Sequence, residues 1–344
     1  MSVDFQILGR QGFDNCLFLH IDTGSSVEKL LFDCGEGCLD KISISQLRGI
    51  DYIFFSHFHM DHVAGFDYYF RRAYHRSEPV HIFVPCGTVD VIHNRFRGFT
   101  WNLEQPECTW FVTECCDKTL KTYKFEKHEL FEHKHFVYER EYDRTIVDSP
   151  TFSVDAVIMN HKTPTLSFCV REKMFSKIDE KKLGKLNLNS GSWLQTLKNP
   201  EIPDSEEIII NGSKHNVGNL RNILLIEKSG DSIAYLTDFR LDSKTSVNLH
   251  KMIQGCKIIV CESMYKNADI QLAERNYHNI AQESAEIAKK AGAKKLFLIH
   301  ISERYTPQQM LEILEEARKI FPQTYLPKGW REKLLHNSKK SDAS

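Results

Sequence analysis

The sequence predicts an α/β protein in which sheets pack together and helices cover the outside. Three observations carry that reading. Short apolar runs of four to six residues, rich in Ile, Leu, Val, Phe or Tyr and flanked by polar residues or glycine, recur along the whole chain, as strands do. Helical patterns are fewer. Strands dominate the early part of each half and helices follow, which is the order of a layered fold.

In chain order, the strand-like runs of the first half are Phe5–Leu8, Cys16–Ile21, Lys29–Asp33, Tyr52–Phe55 and His81–Val84. The second half offers Val154–Met159, Leu166–Val170, Asn222–Glu227, Ile233–Leu236, Lys257–Cys261 and Leu296–Ile299. The best helix runs over Ile280–Ala291, with Asn279 as N-cap, Gln282 completing a capping-box-like pattern and Gly292 as the stop. A second helix starts after Pro307 and carries Met310, Leu311, Leu314, Ala317 and Ile320 at helical spacing. The segment 173–213 is polar, with Lys173, Lys177, Lys181, Lys182 and Lys185 and a Ser- and Asn-rich stretch around Trp193. It reads as an excursion from the core. The last residues, Lys339–Ser344, read as a disordered tail.

A chain of 344 residues can bury roughly 75% of its extended-chain surface, so a sizeable core needs no staples. Lys+Arg 45 against Asp+Glu 46 leaves a net charge of −1. That excludes a generally basic nucleic-acid coater and leaves room for a local basic patch. No apolar run approaches the ~18 residues of a membrane span, and the N-terminus lacks the pattern of a secretory signal. The ten cysteines, with no Cys-x-x-Cys pair among them, read as reduced thiols of a cytoplasmic protein.

The sharpest motif is Ser56-His57-Phe58-His59-Met60-Asp61-His62, directly after the apolar run that ends at Phe55. Side chains alternate along an extended chain, so His57 and His59 point one way, while Asp61 and His62 open the following turn toward the same cavity. Three imidazoles and a carboxylate suit zinc, or manganese and iron. Four residues cannot fill two metal shells, and distant runs supply more. Val154–Met159 leads to His161, Ile233–Leu236 to Asp238, and Leu296–Ile299 to His300. Each strand thus delivers a ligand-type residue at its carboxyl end, on a rigid element, as metal chemistry requires.

This His-x-His-x-Asp-His pattern, followed by a distant His, an Asp after a strand and a final His, resembles the metallo-β-lactamase superfamily. The resemblance implies a four-layer αββα sandwich over 1–325, with 173–213 as an inserted arm and 326–344 as a partly disordered tail. It also implies a dinuclear centre of two divalent ions, zinc first and manganese or iron as alternatives. Carried over by position, His57, His59 and His161 would hold one ion, Asp61, His62 and His300 the other, and Asp238 would bridge them.

Within the superfamily the chain is most similar to ribonuclease Z, which trims the 3′ end of precursor tRNA. Leu31-Phe32-Asp33-Cys34-Gly35-Glu36-Gly37 matches the early motif of that family, and His161-Lys162-Thr163-Pro164-Thr165 its His-x-x-Pro-Ser motif. Cys261-Glu262-Ser263, His278 and the ending His300-Ile301-Ser302-Glu303-Arg304-Tyr305 follow in the family's order. The resemblance implies a phosphodiester substrate, precursor tRNA, and a homodimer. It implies that Asp61 orients the nucleophile or accepts its proton, and that His278 protonates the leaving group. Arg304 is a candidate phosphate contact, and the arm lysines Lys181, Lys182 and Lys185 are candidates for RNA. Two departures stand out. The first loop is shortened to Gly9-Arg10-Gln11-Gly12-Phe13-Asp14-Asn15, and the arm, at Asn189-Ser190-Gly191-Ser192-Trp193-Leu194, lacks the Gly-Pro pair of the family. The alternatives are a thioester or lactone hydrolase of the same fold and a catalytically silent RNA-binding relative. The His-rich run Lys127–His135 reads as a solvated strand or hairpin.

Overall fold

The first half of the chain builds one sheet. Its strands are β1 (Val3–Leu8), β2 (Cys16–Asp22), β3 (Val27–Phe32), β4 (Tyr52–Phe54), β5 (Val80–Pro85), β6 (Thr109–Cys115), β7 (Thr119–Glu126) and β8 (His135–Glu141), hydrogen-bonded in that order. The strands β3 to β6 run parallel, and antiparallel hairpins flank them on both sides. Parallel neighbours need crossovers, and these carry α1 (Ile44–Arg48), α2 (Met60–Val63), α3 (Phe66–Ala73) and α4 (Val89–Arg97). The structure is a computed structural model that describes residues 3–10, 12–22, 27–101, 108–330 and 334.

The second half begins with β9 (Thr145–Asp148), β10 (Phe152–His161) and β11 (Thr163–Glu172). The chain then forms β12 (Phe175–Ile178), α5 (Glu180–Lys185), α6 (Trp193–Lys198), β13 (Glu207–Ile210), β14 (Ser213–Asn216), α7 (Val217–Leu224) and β15 (Leu225–Lys228). It continues with β16 (Ser232–Leu236), α8 (Ser243–Ile253), β17 (Ile258–Glu262), α9 (Ile270–Asn276), α10 (Ala281–Ala291), β18 (Lys295–Ile299), α11 (Pro307–Arg318) and β19 (Thr324–Tyr325). Among the described residues, a seven-stranded sheet has the order β19-β18-β17-β16-β11-β10-β9.

Period-two alternation sorts the side chains of both sheets into layers. Leu17, Leu19, Leu30, Phe32 and Phe54 of the first sheet meet Phe168, Ile233, Tyr235 and Val260 of the second in one buried cluster. Phe32 and Phe54 stack at 4.6 Å between centroids, and Phe168 lies 5.5 Å from Phe54 across the interface. The alternate residues Phe18, Leu31, Ile53 and Ile82 face out to Phe66, Phe70 and Phe96 of α3 and α4. On the far side, Ala234, Leu236, Ile259 and Leu298 pack under Leu249, Ala285, Ile287 and Leu314 of α8, α10 and α11. The result is a four-layer αββα sandwich. Strands buried on both faces read as continuous apolar runs, which is why they are legible in the sequence.

The segment Glu172–Gly230 forms a separate compact unit, apart from Met1–Arg171 with Asp231–Ser344. Its own small core gathers Ile178, Leu183, Leu197, Ile210, Val217, Leu220 and Leu224. The inserted segment therefore extends beyond the expected 213. The reason is β15, which pairs with β12 and closes the unit. Likewise Asn222–Glu227, expected as a strand, splits between the end of α7 and β15.

Three other expectations change. The N-cap of α10 is Ile280, whose backbone N–H donates to the Glu283 carboxylate at 3.1 Å, rather than Asn279 with Gln282. The run Lys127–His135 holds a single 3-10 turn, Lys127–Glu129, and a loop, and the strand starts only at His135. Of the expected tail, Leu326, Trp330 and Leu334 are buried against the outer helices, while 331–333 and 335–344 lie outside the described residues, as does Gln11 of the first loop.

The fully reduced set of thiols is also overturned, because Cys86 and Cys116 form a disulfide. The register explains it. Pro85 of β5 pairs with Cys115 of β6, so the next residue of each parallel strand arrives side by side, with Cα atoms 4.7 Å apart. The other eight cysteines are free and buried. Closing a loop of sequence separation 30 is worth roughly 3–4 kcal/mol. Dithiothreitol is therefore expected to lower Tm by a few degrees and to leave the Cys86→Ser/Cys116→Ser variant unmoved. An unchanged wild-type Tm would mean that the bond contributes nothing.

Candidate metal centre

The site lies where strands end. Beyond β4 come Ser56, His57 and His59, and α2 presents Asp61 and His62 in its single turn. His161 is the last residue of β10. The parallel strands β16, β17 and β18 run in register, with Leu236 beside Cys261 and Cys261 beside Leu298. Asp238, Glu262 and His300 consequently emerge on one edge. Several non-glycine residues just after strands on this edge have left-handed backbone: Asp33, Lys162, Asp238 and His300, with φ between 50 and 59°. Such strain at a cluster of strand ends marks places where aim matters more than local comfort.

Asp238 is the centre of the arrangement. One carboxylate oxygen, Oδ2, lies 3.6 Å from His57 Nε2 and 3.6 Å from His161 Nε2. The other, Oδ1, lies 3.5 Å from both His62 Nε2 and His300 Nε2. Asp61 Oδ2 closes the second group at 3.1 Å from His62 Nε2 and 3.2 Å from His300 Nε2. His57, His59, His161 and Asp238 offer donor atoms within 4.8 Å of one another, as do Asp61, His62 and His300. Zinc bonds of ~2.0–2.1 Å in a tetrahedron put donors about 3.3 Å apart, close to the spacings seen. His57 Nε2 is buried without a hydrogen-bond partner, a costly state for a polar atom unless a cation uses its lone pair. The donor set fits two divalent ions.

Outer groups fix two of the rings. His62 Nδ1 donates to Asp33 Oδ2 at 2.7 Å, and His161 Nδ1 donates to the Tyr277 carbonyl at 2.9 Å. Both therefore turn Nε2 inward, which is how ligand tautomers are set. Asp33 is a buried hub: it also accepts the Ser56 N–H and hydroxyl, both at 2.7 Å, and the Tyr235 hydroxyl at 3.0 Å. Gly35 has no room for a Cβ, which would lie 2.4 Å from the Asp61 carbonyl oxygen. That close approach seats the loop after Asp33 against α2. On the other side, Glu262 accepts the Phe239 N–H at 2.7 Å and His278 Nδ1 at 2.9 Å.

The electrostatics follow from burial. Burial and the neighbouring His62 push His57 down to about 2, and burial also lowers His161, so both are neutral donors. Burial would raise Asp238, but the imidazoles of His300 and His62 outweigh it and hold the carboxyl well below its usual range. Asp61 is lowered in the same way. At His278 burial opposes charge, yet the Glu262 carboxylate prevails and raises the ring to about 9.

All seven sequence-predicted ligands come together here, and His278 lines the same cavity with Met264 and Asn276. Arg304 is exposed and is not among the residues lining that cavity. Lys181, Lys182 and Lys185 lie on α5 in the separate unit. Sequence reasoning missed the orienting roles of Asp33 and Glu262, though both stand in quoted motifs. It also missed Asn15, whose amide donates to Asp61 Oδ2 at 3.2 Å.

Comparison with known proteins agrees with this geometry. The chain is 36% identical to ribonuclease Z of Deinococcus radiodurans over 326 residues, 94% of this chain and 97% of that one. The chain belongs to the ribonuclease Z family. It belongs as well to the family whose model is described as Anti-Pycsar protein Apyc1, which matches residues 10–185. Among solved structures, the metallo-β-lactamase-fold protein YhfI of Bacillus subtilis is 13% identical with a TM-score of 0.54, covering 95% of this chain and 96% of that one. The short form of human tRNase Z is 18% identical with a TM-score of 0.53, with the same coverage. These two show the fold. Family membership makes the chain a hydrolase of the metal-dependent kind.

Three outcomes are expected from this centre. Asp238→Ala should bring the metal content of purified protein, measured by inductively coupled plasma mass spectrometry, from about two ions per chain to well under one. His59→Ala should remove only one. Asp33→Asn should weaken metal affinity about 10–100-fold, the usual effect of losing an orienting partner; unchanged affinity would mean that the hub does not aim His62.

Proposed function

We propose that the chain hydrolyses phosphodiesters at a dinuclear zinc centre, and that its substrate is precursor tRNA carrying a 3′ trailer. His57, His59 and His161 would hold one ion, Asp61, His62 and His300 the other, and Asp238 both. The observation that carries the reading is the split of the Asp238 carboxylate, one oxygen toward each group of imidazoles. Bound divalent ions supply Lewis-acid polarisation of the phosphate and hydroxide at neutral pH.

The chain's own residues do the rest. Asp61 is charged and its side chain keeps 34% of its surface open, so it can accept a proton from an incoming water. His278 has Nδ1 engaged by Glu262, which leaves Nε2 to give a proton to the departing oxygen. Its position is held from behind, because the Arg240 guanidinium donates to the His278 carbonyl at 3.2 Å and pairs with Glu283. General-acid help of this kind is worth roughly 10²–10⁴-fold.

A cytoplasmic location and a homodimer belong to the same reading. Among the described residues no helix is long and apolar enough to cross a membrane. A second reading, a smaller phosphodiester in place of tRNA, is favoured by the arm sequence Asn189–Leu194, which lacks the Gly-Pro pair.

The leaving group tests the role of His278. His278→Ala should lose ~10²–10⁴-fold in kcat on RNA, whose departing alkoxide needs a proton. It should lose far less on a p-nitrophenyl diester, whose phenolate does not. Equal losses on both would assign His278 to metal binding, a role open to it through Asp238 and His300. Substrate choice is read by side-by-side turnover of a 3′-trailer precursor tRNA and a small diester. Cleavage of the tRNA next to its discriminator base supports processing, and turnover of the small diester alone moves the substrate to the second reading.

A further inference from the structure

A second and larger cavity adjoins the metal pocket. The pocket at the proposed ligands has a volume of about 470 Å³. The neighbouring cleft has about 1290 Å³ and runs between the turns after β6 and β8, the second half of β10, and α8. Lys162 and Thr163 line both cavities, so the two meet at the β10–β11 turn. The volume exceeds the ~300–1,000 Å³ of a typical small-molecule site and suits an extended ligand.

The lining says what kind of ligand. Lys118, Arg144, Lys162 and Lys251 bring positive charge. Asp117, Glu141, Asp143 and Asp242 offset it, so the cleft as a whole does not attract a run of phosphates. Its walls mix polar side chains, Asn160, Thr245 and Asn248, with the apolar Val157, Ile158 and Met159. The strand β10 lies along it, with the Asn160 carbonyl already accepting the Arg240 N–H at 2.9 Å. β9 pairs with β10 only over Ser153–Asp155, and the Ala156 N–H still reaches the Arg144 carbonyl. The segment Val157–Asn160 then runs on past the end of β9 along the cleft wall. A neutral, hydrogen-bonding ligand portion matches such a surface. Among the described residues that line both cavities, the cation is Lys162, where a phosphate in the metal pocket would be joined to that portion.

We infer that this cleft receives the nucleoside portion of the substrate next to the scissile phosphate, with Lys162 at the boundary between the two. The inference rests on the phosphodiesterase reading and adds the part of the ligand that the metal pocket does not hold. It makes the β10–α8 cleft a determinant of affinity for nucleosides and gives it no part in the chemical step.

The test uses the full metal-loaded chain and two diesters. A dinucleoside monophosphate carries a nucleoside on both sides of the phosphate, and bis(p-nitrophenyl) phosphate carries none. Asn248→Trp and Lys251→Trp each fill the cleft from exposed positions of α8, away from the ligands, and their Tm values report folding. Both variants should raise KM for the dinucleoside on the order of tenfold, about 1.4 kcal/mol, with kcat and the kinetics of the p-nitrophenyl diester unchanged. An unaltered KM for the dinucleoside would overturn the assignment. If the wild-type chain hydrolyses neither of these diesters nor a 3′-trailer precursor tRNA, it is the phosphodiesterase reading that fails. Calorimetric binding of a nucleoside monophosphate then decides for the cleft on its own: weakening by the two tryptophans supports it, and equal affinity refutes it.

Discussion

One buried carboxylate organises this molecule. Asp238 is almost fully enclosed, and an ionised acid in such a place is tolerable only when its charge is met by donors or cations. Four imidazoles meet it, two at each oxygen. No local stretch of chain can supply that environment, so the two sheets must bring it together. The first sheet contributes His57 and His62 from the end of β4, and the second contributes His161, Asp238 and His300 from the ends of β10, β16 and β18. The sandwich is in this sense a device for holding two sets of strand ends at a fixed separation.

Rigidity at the site comes from a second ring of buried acids. Asp33 and Glu262 are both fully buried, one behind His62 and the other behind His278, and each is saturated by backbone and side-chain donors. Left-handed backbone at Asp33, Asp238 and His300 turns these side chains inward directly after their strands. The cost of that strain is offset by the buried apolar cluster between the sheets. Stability sits in the core and precision at its rim.

The clustered His and Asp residues were legible because two patterns coincide: a dense His and Asp motif after an apolar run, and single ligand-type residues after other apolar runs. The doubly buried strands were legible for the same reason. What the sequence hid has physical causes. β7 alternates buried and half-exposed residues, so no continuous apolar run announces it. The Asp33 hub depends on Tyr235, 202 residues away, and the Cys86–Cys116 bond on a parallel register that is settled only in the folded sheet. Asn279, read as a helix cap, is instead fully buried and makes no capping hydrogen bond, and Glu283 serves the Ile280 N–H.

The central claim is that one carboxylate joins two ions. The most direct measurement is anomalous diffraction at the zinc edge from crystals of the zinc-loaded protein. The account predicts two peaks, one beside Asp238 Oδ2 with His57, His59 and His161, and one beside Asp238 Oδ1 with Asp61, His62 and His300. A single peak at full zinc loading, or two peaks that leave Asp238 uncoordinated, would contradict it.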